Sequence, residues 1–172
     1  MGLHKNSQKR IYSPGAIYFI TTNTENRYPF FAEDIFCEIF LSDLQICLEL
    51  KKFEILGYKI NPDHVHLLIK PGIEYNYSQI IQNLKRTSSL HINEIIQHAN
   101  DPECTNIYSR IQEKSRPFPR FKWQKSFHDH IIRNNRDLQN HLRYIQIQWL
   151  KHELEENKWC FTGTDSRLLG KR

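Results

Sequence analysis

No run in this chain is long and apolar enough to cross a bilayer, and none of its four cysteines belongs to a C-x-x-C pair. The first absence argues against a helical membrane span. The start, Met1 to Arg10, is polar and has no apolar signal core, so the expectation is a soluble cytoplasmic domain with no membrane partner. The second absence argues against a zinc ribbon. Cys37, Cys47, Cys104 and Cys160 lie far apart and read as reduced thiols. A P-loop is missing too, because Gly163 to Gly170-Lys171 has the wrong spacing and no Ser or Thr after the lysine. There is no internal repeat and no low-complexity block.

The chain does carry a modest excess of positive charge. Its 24 Lys and Arg outnumber 19 Asp and Glu, giving a net charge of +5 and an isoelectric point near 9.0. That balance suits a polyanion such as nucleic acid without requiring one. At 172 residues a single domain is expected over 1–172, with its core at 15–154 and both tails partly ordered.

Apolar spacing predicts alternating elements. Ala16–Thr22 is β-branched and aromatic after the Pro14-Gly15 turn, and reads as a strand. From Glu33 to Lys51, Phe36, Ile39, Phe40, Leu44, Cys47 and Leu48 recur every three or four residues, which predicts a helix. Phe53–Ile60 and His64–Lys70 are strands joined by the short turn Asn61-Pro62-Asp63, hence an antiparallel hairpin. Ser78 is the expected N-cap of a second helix with Ile81, Leu84, Ser88 and Ile92 on one face. Asn100–Lys122 reads as a long irregular connection, Ser126–Arg133 as a further strand, and Arg136–Leu154 as a third helix. The tail from Asn157 is expected to be partly ordered at best. The order β-α-β-β-α-β with an added helix is the ferredoxin-like, split β-α-β pattern of an α+β fold. Two helices would cover one face of a four-stranded antiparallel sheet and leave the other face for a site.

Two groups on that chain invite chemistry. In a strand, His64 and His66 point the same way, with roots roughly 6–7 Å apart, near enough to converge on one metal ion. Tyr144 and Gln148 stand one helical turn apart on one face. Each has a plainer reading. The histidines could hydrogen-bond along a polar strand face, Tyr144 could be a half-buried core tyrosine, and Gln148 a solvated helix residue. Lys85 and Arg86 could be ordinary surface charges. His128 and His130 also alternate on a strand and offer a rival pair.

The motif Asp63-His64-Val65-His66-Leu67-Leu68 resembles the His-hydrophobic-His motif of the tyrosine single-strand DNA transposases. The likeness is to the branch holding the IS200/IS605 enzymes and the transposases associated with repetitive extragenic palindromes. Lys85-Arg86-Thr87-Ser88 is similar to that family's basic helix, and Trp123 to Arg133 to its last strand with a Trp-Gln lead-in. Leu142-Arg143-Tyr144-Ile145 falls where the family has its nucleophile. The resemblance runs from Gly15 to about His152. One departure is Gln148-Trp149-Leu150-Lys151, where the palindrome branch often has Asn-Pro and then a Lys. Without the proline the helix can continue unbroken.

The resemblance implies a nuclease and ligase that needs no energy cofactor. Tyr144 would attack a phosphodiester in single-stranded DNA with hairpin-forming ends, leaving a 5′-phosphotyrosine and a free 3′-hydroxyl. His64, His66 and Gln148 would bind one Mg²⁺ or Mn²⁺. Lys85, Arg86, Trp123, Arg133 and Lys151 would contact nucleic acid, and the chain could act as a homodimer. Two other readings stay open. One is a non-catalytic module, domesticated or decayed, that binds single-stranded nucleic acid on the same sheet. The other is an oxygen-activating metalloenzyme built on His64, His66 and His130.

Overall fold

The computed structural model describes residues 10–99, 117–153, 155–156 and 158–163. Its elements run β1 (Tyr18–Asn23), α1 (Asp34–Lys51), β2 (Glu54–Asn61), β3 (His64–Lys70), α2 (Tyr77–Ala99), β4 (His128–Ile131), α3 (Asn135–Lys151) and β5 (Cys160–Thr162). The strands form one sheet in the order β4-β1-β3-β2-β5, with every pairing antiparallel. The first four strands have the 4-1-3-2 arrangement of the split β-α-β fold, as the sequence pattern predicts. The fifth is a departure from that pattern. Cys160–Thr162 pairs with Gly57–Lys59 along the outer edge of β2, so part of the expected loose tail is sheet.

Strand alternation separates the two faces. Tyr18 and Ile20 on β1, with Val65, Leu67 and Ile69 on β3, join α1 residues Phe36, Phe40 and Leu44 and α2 residues Ile81, Leu84 and Ile92 in one buried cluster. Phe19, Thr21, His64 and His66 take the opposite side, where α3 packs, as the ring contacts of Phe19 with His66 and Tyr144 record. The face left open by the ferredoxin-like core is therefore roofed by the tyrosine helix.

Local chemistry fixes the ends. α1 stops at Lys52, which turns left-handed (φ 51°) and returns its N–H to the Leu48 carbonyl at 2.9 Å. Gly72 passes this cap so closely that a Cβ there would collide with the Lys52 carbonyl oxygen. α2 begins one residue before the expected cap. Asn76 Oδ1 accepts from the Gln79 N–H, and Gln79 Oε1 accepts from the Asn76 N–H, both at 3.0 Å, so a reciprocal capping box stands in place of Ser78. α3 is capped by Asn134, whose side chain accepts the Asp137 N–H.

Of the long connection before β4, 100–116, with Cys104, lie outside the described residues. Its last part packs inward. Phe118 and Phe121 are buried, and the Asn93 amide both donates to the Phe121 carbonyl (2.9 Å) and accepts its N–H (2.8 Å). Next along, Glu25 donates to the Lys122 carbonyl and Gln124 to that of Asn23, each at 2.8 Å, which prolongs the sheet beyond β1. Among the described residues no helix is long and apolar enough to cross a membrane.

Candidate functional site

The sheet face under α3 carries two polar rows. Asn61, His64 and Asn23 lie side by side on β2, β3 and β1, and Lys59, His66 and Thr21 form the next row. All but Thr21 are buried. Burying so many polar groups is costly unless they are paired, and their pairing is uneven. His64 Nδ1 lies 2.5 Å from Asp63 Oδ1, and its Nε2 3.0 Å from the Asn61 amide nitrogen. An ionised carboxylate can only accept, so Nδ1 carries the proton and Nε2 presents a lone pair. His66 Nδ1 lies 2.9 Å from Thr21 Oγ1, while its Nε2 is buried without a hydrogen-bond partner. The two imidazoles meet edge to face, 4.8 Å between centroids.

α3 closes the site with the stripe Tyr144, Gln148, His152, each one turn beyond the last. The Tyr144 ring meets the His66 ring edge-on at 5.3 Å and the Phe19 ring at 5.8 Å. Gln148 is 1% exposed, which removes the reading of a solvated helix residue, and its Oε1 has no hydrogen-bond partner. The same amide is near enough to His66 to favour that ring's protonation. His152, which the sequence reading passed over, brings its ring within 5.1 Å of His64 and also buries an unpartnered Nε2. The signal was there, since Tyr144-Gln148-His152 simply extends the spacing of four by a turn.

Electrostatics keep these rings neutral. Burial pushes His66 down to about 3, and His64 and His152 push the same way. Burial also holds His64 below the ordinary imidazole value, against the upward pull of Asp63, and it lowers His152, with Lys151 adding to it. Burial would raise Asp63, but His64 and Arg27 outweigh it and its carboxyl ends below the usual range. Neutral imidazoles oriented by a carboxylate and a hydroxyl are the form in which histidine binds a metal.

The residues expected to touch nucleic acid divide. Arg86, Arg133 and Lys151 are exposed, Arg86 beside Tyr75, Gln79 and Asn83 on the α2 side, Lys151 at the end of α3. Lys85 is half-buried and donates to the carbonyls of Gln124 (2.5 Å) and Ser126 (3.3 Å); burial lowers it to about 8. Trp123 is a correction. It is 8% exposed, packs against Phe31, Phe40 and Phe121, and donates its indole N–H to Ser88 Oγ at 3.0 Å. Its ring belongs to the core and is not open to stacking by a base.

The rival histidine pair also dissolves. His128 is exposed, and His130 turns to α3, where its Nε2 meets Asp137 Oδ2 at 2.9 Å and its ring stacks on His141 at 4.8 Å. Phe19 stands between this group and the first, 4.6 Å from His141 and 5.2 Å from His66. His64, His66 and His130 therefore do not converge.

Comparison with known proteins agrees with this architecture. Residues 13–148 match the family described as IS200-like transposase. A Haemophilus influenzae (strain KW20 Rd) protein bearing the name REP-associated tyrosine transposase is 30% identical over 145 residues, 84% of this chain and 76% of that one. Among solved structures, a REP-associated tyrosine transposase bound to a REP hairpin matches with a TM-score of 0.65 at 20% identity, over 86% of this chain and 74% of that one. A Deinococcus radiodurans R1 protein described as a transposase matches with a TM-score of 0.52 at 16% identity, over 85% and 98%. At these two identities the likeness is one of fold. Sequence and fold together define a transposase, an enzyme that moves DNA. Within that class the chain belongs to the IS200-like family.

Proposed function

We propose that this transposase cuts and rejoins single-stranded DNA through a covalent bond to Tyr144. The observation that carries the reading is the convergence of unpartnered buried atoms, His66 Nε2 and Gln148 Oε1, beside the ring of an α3 tyrosine. With His66 Nδ1 donating to Thr21 Oγ1, its Nε2 and Gln148 Oε1 are two buried acceptors without partners, which a cation would satisfy. His64, His66 and Gln148 would hold it. A donor set of two imidazoles and an amide oxygen suits Mn²⁺, and less fully Mg²⁺, which prefers oxygen. Such an ion would neutralise charge on the scissile phosphate.

The chain's own residues do the rest. Asp63 and Thr21 fix the two imidazoles through their Nδ1 atoms, so that neither ring has to reorganise. Phe19 and His66, stacked on each other, both meet the Tyr144 ring edge to face. Tyr144 Oη forms a bond to phosphorus as the bond to the 3′ oxygen breaks. The phenolic proton is lost, and the leaving oxygen gains one to become a 3′-hydroxyl. One phosphoester replaces another, so attack by a second 3′-hydroxyl restores Tyr144 and needs no nucleotide. A free tyrosine has a pKa near 10, which is why such a nucleophile needs help at neutral pH. The REP hairpin held by the structural relative suggests hairpin-forming single strands as substrates here. In the same reading the working form is a homodimer, and a monomer mass by light scattering would refute that part.

The test is denaturing electrophoresis of the protein with labelled single-stranded oligonucleotides from its own genomic flanks, with Mn²⁺, Mg²⁺ or EDTA. A metal-dependent adduct present in the wild type and absent from Tyr144→Phe is expected. An adduct that survives in Tyr144→Phe removes the nucleophile. Binding without any adduct would leave a non-catalytic module on the same fold.

A further inference from the structure

We infer that His130, Asp137 and His141 form a second, separate metal site, one that takes a transition-metal ion and ties edge strand β4 to the first turns of α3. One ligand atom from each residue lies within 4.8 Å of the others. His130 Nε2 is 2.9 Å from Asp137 Oδ2, and His141 Nδ1 is 3.1 Å from Asp137 Oδ1. The two rings stack nearly parallel, 20° apart in plane and 4.8 Å between centroids. Asp137 and His141 share a helix face at a spacing of four, the arrangement in which two helix residues can grip one ion. His130 reaches them from the sheet.

The cluster is held in place by groups that are not ligands. The Arg133 N–H donates to Asp137 Oδ2 at 3.0 Å, and the Asn134 side chain accepts the Asp137 N–H at 2.9 Å. This N-cap therefore fixes the carboxylate that both imidazoles face. His141 Nδ1 also lies 2.9 Å from the Asp137 backbone carbonyl. Entry of an ion at that nitrogen displaces a proton, so binding is coupled to proton release. Two imidazoles and one carboxylate form a three-ligand set of the kind that leaves a coordination position to solvent. The side chains are 38%, 20% and 22% exposed, which leaves such a position accessible. Imidazole donors favour Zn²⁺, Co²⁺ or Ni²⁺ over Mg²⁺. Phe19 separates this group from His66, so the two sites fill independently. Tyr144 lies three residues beyond His141, and an ion here would stiffen the end of the helix that carries it.

The test uses the full chain, stripped with EDTA and titrated with Co²⁺ and Zn²⁺, as wild type, His130→Gln, His141→Gln and Gln148→Ala. Independently of any ion held by His64, His66 and Gln148, wild type should show one Co²⁺ equivalent with tetrahedral ligand-field absorption and a melting temperature that rises with Zn²⁺ concentration. That equivalent should persist in Gln148→Ala and weaken by more than about 100-fold in the other two. Equal Co²⁺ and Zn²⁺ responses in wild type and folded His130→Gln would overturn the assignment. Should His141→Gln fail to fold, histidine-ring NMR of the wild type decides alone. Ring signals of His130 and His141 that stay still on addition of Zn²⁺ would overturn it.

Discussion

His64, His66 and His152 share a constraint that extends beyond chemistry at the site. Burial lowers the proton affinity of all three. The unfolded chain takes up protons near pH 6.5, but folded His66 does so only at about 3. Stability is therefore complete above the unfolded value and falls as the solution is acidified below it. Each histidine contributes a slope of up to about 1.4 kcal/mol per pH unit. Urea unfolding of metal-free protein between about pH 7.5 and 5 should follow this decline, and His66→Gln should flatten it. A wild-type stability that is level across that range would contradict these buried, neutral rings. Single residues also mark what sequence could and could not convey. The His64/His66 pair was legible because strand alternation is a fixed period. Trp123 was assigned to nucleic acid through its resemblance to a Trp-Gln lead-in, a pattern that carries no record of burial. Its partner, Ser88, is 35 residues away, and only tertiary packing brings the two together.

At the scale of elements, the sheet and its helices were written in apolar spacing, and the hairpin in the Asn61-Pro62-Asp63 turn. β5 was not, because three residues have no period of their own and Cys160–Thr162 is a strand only by lying on β2. Gly57 is what lets it lie there. A Cβ at that position would come within 3.0 Å of the Phe161 carbonyl oxygen and 3.1 Å of Ile145 Cδ1, so β5 and α3 both approach over a bare backbone. Gly57→Ala should cost about 1–3 kcal/mol by overpacking, read as a lower denaturation midpoint. An unchanged midpoint would mean that the β5 and α3 contacts yield freely. The His130, Asp137 and His141 group was hidden for a related reason. Its members come from two elements joined by a tight connection, and no linear motif records that α3 brings Asp137 and His141 to His130.

Over the whole molecule, the sequence carries a net charge of +5. Arg86 lies on the α2 side, and Lys151 belongs to the helix over the histidines. For a strand drawn to Tyr144, Lys151→Ala should weaken single-stranded DNA binding about equally for all sequences. The slope of log affinity against log salt should shrink by about 0.7. Fluorescence anisotropy at several salt concentrations measures this, and an unchanged slope would take Lys151 out of the path of the phosphates. The sheet order bears on a different property. Its two margins are β4 and β5, of four and three residues, while the longer strands lie inside. A chain cut before Cys160 would bare the stretch of β2 that β5 covers, Gly57–Lys59. A bare flank of that kind is a template for stacking chain upon chain into fibrils. The short fifth strand is thus also a guard on solubility, since it occupies backbone of β2 to which a neighbouring molecule's strand could otherwise add.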